Sequence, residues 1–166
     1  IKIPSLVTSI GLSAFSGCSS LKQIQILSFL SIIEDYTFSG CSSLAQISIP
    51  LSVTSIGNYS FSGCSSLTQI VVSSSVTSIG SSAFAGCSSL KQIIIPPSVT
   101  SIGDYAFAKC SLLSKIIIPS SVTKIGLHAF SGCSSLMDIS LPPTISVIDE
   151  HSLDGTPNLK TNKISE

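Results

Sequence analysis

Six cysteines stand at one fixed interval: Cys18, Cys41, Cys64, Cys87, Cys110 and Cys133 are each 23 residues from the next, and Thr156 falls where a seventh would be. Other residues keep the same step. A Phe column runs Phe15, Phe38, Phe61, Phe84, Phe107 and Phe130, then Leu153. A Leu column runs from Leu21 to Leu159 and an Ile column from Ile10 to Ile148. A repeat of 20 to 50 residues marks a stacked coil in which no unit can bury its apolar face alone. Equivalent side chains then lie above one another, and each unit contacts only its neighbours. The chain reads as a single domain, residues 1–166, of about seven 23-residue units.

One unit shows how the turn is built. Leu90-Lys91-Gln92-Ile93-Ile94-Ile95-Pro96 predicts a short strand, with Ile93 and Ile95 inward and Gln92 and Ile94 outward. Pro96 ends it by removing a ladder donor. Val99-Thr100-Ser101-Ile102 is β-branched and predicts a second, shorter strand on the opposite side. Gly103 permits a turn, and Asp104 occupies an N-cap position before Tyr105-Ala106-Phe107-Ala108, as do Asp35, Asn58 and Ser81 in their units. A single helical or 3₁₀ turn is predicted there, closed by Gly17, Gly40, Gly63, Gly86 and Gly132, a column that Lys109 breaks. Residues 27–34 depart from the pattern. The last unit, residues 149–166, is degenerate, and its polar residues suit a terminal cap. The chain opens inside a unit, since Ile1, Ile3 and Pro4 align with Ile93, Ile95 and Pro96. That start reads as a mature or excised segment with an uncapped apolar first turn, a possible surface for self-association.

Only 10% of residues are charged, against about 25% in an average globular protein. There are eight lysines, no arginine and eight acids, for a net charge of zero. This balance argues against nucleic acid as a partner, because it needs a clustered basic face. No run approaches the 18 apolar residues of a membrane span, so no membrane insertion is predicted. The repeated Ser-Ser and Val-Thr-Ser segments supply a hydroxyl-rich polar surface instead.

The pattern Leu-x-x-Ile-x-Ile-Pro-x-Ser-Val-Thr-x-Ile-Gly-x-x-Ala-Phe-x-x-Cys-x-x-Leu resembles the BspA-type leucine-rich repeat, over essentially the whole chain. Its Ser-rich form is similar to surface proteins of protists and bacteria. The resemblance implies a right-handed solenoid with a parallel β-sheet on the concave face and short strands and helical or 3₁₀ turns on the other side. It also implies a cell-surface or secreted location, adhesion, and protein ligands that include host extracellular-matrix proteins.

No constellation supports catalysis: no His stands near a nucleophile with an orienting acid, and no Gly-rich phosphate loop appears, so neither enzyme activity nor a cofactor is predicted. Stacked cysteines have parallel Cβ vectors about 5 Å apart, a geometry unsuited to disulfides, and the column reads as small buried hydrophobes. No Cys-x-x-Cys pair suggests zinc. His128 and His151 belong to the column Ser13, Tyr36, Tyr59, Ser82, Tyr105. A two-His metal site with Asp149, Glu150 or Asp154 is conceivable, but a partly exposed aromatic stack is the preferred reading, with no metal. Asn58-Tyr59-Ser60 is a glycosylation sequon, though Asn58 reads better as a turn cap.

The outward strand columns carry the ligand-binding expectation. One includes Val71, Ile94 and Ile117; the other reads Gln23, Gln46, Gln69, Gln92, Lys115, Asp138 and Thr161. An apolar strip rimmed by polar groups suits protein binding, while β-branched residues there also simply strengthen a sheet. The candidate site is therefore Gln69, Val71, Gln92, Ile94, Lys115, Ile117 and Asp138.

Overall fold

The computed structural model describes residues 1–145 and 147–163, and the remainder of the expected cap, residues 164–166, lies outside the described residues. The chain winds into a β-solenoid. Six turns carry the complete Phe, Cys and Leu set, and a seventh follows beyond Ile148. Parallel pairing joins residues 23 apart, as in Gln46↔Gln69 and Ser78↔Ser101. Phe15 to Phe130 form one continuous ring stack with centroids 5.3 to 5.5 Å apart. All but Phe15 are fully buried, and each such burial stabilises by about 2–3 kcal/mol. The irregular segment, 27–34, keeps the interior filled: Leu30 and Ile33 point inward while Phe29 faces solvent.

The second strand forms the continuous sheet. Ile32–Ile33, Ser55–Ile56, Ser78–Ile79, Ser101–Ile102, Lys124–Ile125 and Val147–Ile148 pair without a gap. The expected concave sheet is instead divided. Lys2–Ile3 pairs with Gln25–Ile26, Gln46–Ser48 with Gln69–Val71, and Lys115–Ile117 with Asp138–Leu141 and then Lys160–Lys163. Single bridges at Gln23↔Gln46 and Gln92↔Lys115 connect further turns. Among the described residues no ladder joins Gln69–Val71 to residues 92–95. The last step is also shorter: Asp138 pairs with Lys160, not with Thr161 as the 23-residue spacing predicts. A one-residue change of register exchanges the two faces of a strand.

The predicted helical or 3₁₀ turn is absent from the first six units and forms only in the last. The one helix among the described residues is the 3₁₀ segment Glu150–Leu153, capped by Asp149, whose Oδ1 accepts from the His151 amide at 2.9 Å. Elsewhere the amides of Tyr36, Phe38 and Gly40 donate to the carbonyls of Asn58, Ser60 and Ser62 on the next turn, while Thr37, Ser39 and Cys41 bond locally. A helix needs every amide along its own axis, and here alternate amides are spent between turns. Left-handed backbone at Tyr36 (φ 58°) and Gly40 (φ 71°) turns the peptide groups to make this possible.

The capping expectation is corrected for a related reason. Asp35 Oδ1 accepts from the Asn58 amide at 2.6 Å, Asn58 Oδ1 from Ser81 at 2.8 Å, and Asp104 Oδ1 from Leu127 at 2.9 Å. Each carboxyl or amide side chain therefore serves the turn stacked on it rather than its own. The serines behave similarly: Ser65, Ser88 and Ser111 each donate to the carbonyl 23 residues earlier. Thr54, Thr77 and Thr100 do so on the opposite side. The hydroxyl-rich composition thus staples turn to turn as well as covering the surface.

Candidate functional site

Six of the seven predicted ligand-contact residues lie on strands or bridges of the divided sheet, in two groups. The strand expected over residues 90–96 reduces to the single bridge at Gln92, which leaves Ile94 beside the sheet without a ladder of its own. Ile94 and Ile117 are 82% and 57% exposed. With Gln92, Lys115 and Pro119 they line a shallow hollow of about 310 Å³. Inward residues Ile93, Ile95, Ile116 and Ile118 are buried, so the alternation holds the outward chains up from a rigid floor. Lys115 Nζ lies 2.9 Å from Asp138 Oδ2, which ties Asp138 to the edge of this patch. Both groups are partly solvated, so the pair contributes little stability and fixes the position of charge instead.

Gln69 and the 67%-exposed Val71 lie across the missing ladder. They line a second hollow of about 490 Å³ with Gln25, Leu27, Gln46 and Ser48. Sequence columns do not distinguish this hollow, although the irregular residues beginning at Leu27 mark its edge. A third hollow, about 390 Å³, includes Leu112 and Met137, where other turns carry small or polar residues. Both side chains are exposed, and neither follows from the repeat pattern.

The remaining candidates lie elsewhere. All six cysteines are free, five of them buried and Cys18 exposed. Burial pushes the Cys41 thiol up to about 11 and those of Cys64 and Cys133 up to about 12. Cys87 and Cys110 are raised well above the ordinary thiol value by the same desolvation. Such thiols are protonated at neutral pH and cannot act as nucleophiles. His128 and His151 stack with centroids 5.2 Å apart, and Tyr105 stacks on His128 at 4.9 Å. His151 Nδ1 meets Asp154 Oδ2 at 3.1 Å. Among the described residues, no three or more His, Cys, Asp or Glu side chains gather in a way that would hold a metal ion. Asn58 is exposed, but its Nδ2 donates to Asp35 Oδ2 at 3.2 Å and its Oδ1 accepts from Ser81. A glycan would attach at the same Nδ2 that donates to Asp35. Among the described residues no helix is long and apolar enough to cross a membrane.

The whole length matches the description of a BspA type leucine rich repeat region, in six copies, over residues 1–112 and 65–166. A leucine-rich repeat protein from Bacteroides ovatus is 35% identical over 85% of this chain, with a TM-score of 0.65. The leucine rich repeat protein of T. pallidum is 29% identical over 85%, also with a TM-score of 0.65. The pneumococcal vaccine antigen PcpA shares the fold over 100% of this chain at 19% identity, with a TM-score of 0.63. This chain spans 33%, 57% and 58% of those three chains. No curated protein matches it.

Proposed function

The chain belongs to the BspA-type leucine-rich repeat family, and from that premise we propose that it is a non-catalytic recognition module, binding protein ligands through the concave sheet. The observation that carries this reading is the exposed Ile94–Ile117 pair, floored by a buried isoleucine layer and rimmed by Gln92, Lys115 and Asp138. Apolar surface held open by a rigid scaffold and edged with polar groups is what a partner side chain can cover. Gln69 and Val71 extend the contact across the break in the sheet. Lacking Trp and Arg, this face has few of the residues that dominate binding energy, so affinity accumulates over several turns. The setting is a cell surface or secreted protein, with host extracellular-matrix protein as the ligand class.

The double variant Ile94→Asp/Ile117→Asp tests this. It should lose at least tenfold in binding to immobilised matrix protein while its circular dichroism and melting stay those of the parent. Undiminished binding by the folded variant would remove this surface from consideration. A second reading, self-association, is favoured by the exposure of Leu6, Leu12 and Phe29 in the first turns. Light scattering across protein concentration separates it: growth in mass that survives the double variant belongs to that end. A passive spacer would bind nothing and remain monomeric.

A further inference from the structure

The aromatic column on the turn side begins at Ser13 and is interrupted once within its run of rings, at Ser82, and the geometry points to a binding slot for an arginine side chain of a partner protein, between Tyr59 and Tyr105 over Ser82. Tyr36 and Tyr59 stack 4.8 Å apart with planes 2° from parallel, and Tyr105 stacks on His128 at 4.9 Å. Ser82 interrupts the series between them. Its backbone is the same as theirs, φ 54° at Ser82 against 54° at Tyr59 and 56° at Tyr105, so its Cβ leaves in the direction that a ring would take. Tyr59 and Tyr105 make no ring contact with each other. Two turns separate them, and at about 4.8 Å between paired strands their rings stand about 10 Å apart.

A planar group midway lies about 5 Å from each ring, inside the cation–π limit of about 6 Å. The width admits one flat layer. A neutral ring there would gain only the stacking that Tyr36 and Tyr59 already make, whereas a cation is attracted electrostatically to both ring faces. Guanidinium is both flat and cationic. The floor supplies an acceptor: Ser82 is 6% exposed, and its hydroxyl makes no hydrogen bond with any described residue. Asp35 and Asp104 stand in the adjoining column, one turn of the coil to either side of Ser81 and Asn58. Asp104 uses only Oδ1, on Leu127, and leaves Oδ2 without a partner among the described residues. These 166 residues contain no arginine, so the occupant comes from outside them. This slot is separate from the concave sheet, and neither proposal depends on the other.

The three tyrosines make the test direct. Acetyl-Gly-Arg-Gly-amide, titrated through the millimolar range, should shift the ring NMR signals of Tyr59 and Tyr105 and leave those of Tyr36 in place. The Lys peptide should bind at least threefold more weakly, and the Phe peptide weaker still. Ser82→Tyr fills the gap with the chain's own ring on a backbone already compatible with Tyr, and should abolish the shifts without lowering the melting temperature. Tyr105→Ala removes one wall and should abolish them as well. Absence of Tyr59 and Tyr105 shifts, persistence of them in either variant, or equal binding of the Phe peptide would overturn the assignment.

Discussion

Cys64 donates its thiol hydrogen to the carbonyl oxygen of Phe38, 3.2 Å away and 26 residues earlier. The same carbonyl accepts the amide of Cys41 at 3.1 Å, so one oxygen is shared between a bond within the turn and a bond to the next. Cys41, Cys87, Cys110 and Cys133 repeat the arrangement on Phe15, Phe61, Phe84 and Phe107. The cysteine column is therefore small, apolar enough for the core, and a weak donor at once.

Thiol reactivity follows from this placement. At pH 8 a disulfide reagent should modify one thiol per native molecule, Cys18, because the other five are buried. All six should react once the chain is unfolded in guanidinium. Cys64→Ala should cost about 1–2 kcal/mol, combining a small cavity with a carbonyl that loses one partner. Rapid modification of two or more native thiols would show that the core opens.

Alkaline pH should unfold the coil. The folded thiols titrate above their ordinary value of 9.0, at about 11 for Cys41 and about 12 for Cys64 and Cys133. The folded state thus holds protons that the unfolded state releases first. The stability is fully present below pH 9 and is lost as pH rises from there towards the folded values. Each thiol contributes a slope of up to about 1.4 kcal/mol per pH unit, so five together reach about 7 kcal/mol per unit. The melting temperature should be flat from pH 6 to 8.5 and fall steeply above 9. Removing Cys64 and Cys87 should make the fall shallower. A melting temperature unchanged at pH 10.5 would contradict the linkage.

The columns were legible because apolar identity survives repetition: Phe61, Phe84 and Phe107 can be placed together from spacing alone, and the ring stack is where that spacing puts it. Hydrogen bonding was less legible. Asp104 has the identity of a helix cap, and nothing local reveals that the amide it serves belongs to Leu127 on the next turn. Tyr59 in left-handed backbone carries no sequence mark either, since large side chains rarely adopt it. The gap beside residues 92–95 and the shortened step to Lys160 depend on how neighbouring turns settle against each other. The candidate surface divides for that reason: Ile94 and Val71 share a column, yet lie on opposite sides of a broken ladder.

Two substitutions six residues apart on the same turn should act in opposite directions. Gly103 has no left-handed backbone to justify it, but a Cβ there would stand 2.6 Å from the Ser81 amide nitrogen and 2.7 Å from the Gly80 carbonyl carbon. Both are backbone atoms and cannot swing aside, so Gly103→Ala must part the turns at a cost of about 3 kcal/mol. Lys109 is the converse case. It holds φ 60° in a column where Gly86 and Gly132 hold 73° and 74°. Lys109→Gly keeps the bond to the Ser131 carbonyl, 2.7 Å long, and relieves a left-handed strain of about 1–2 kcal/mol, offset in part by the entropy of a freer unfolded chain. The net gain should be about 1 kcal/mol, or a rise of about 2–4 °C in melting temperature for a chain of this size. Destabilisation by Lys109→Gly would mean that the lysine side chain carries an interaction that outweighs its strained backbone.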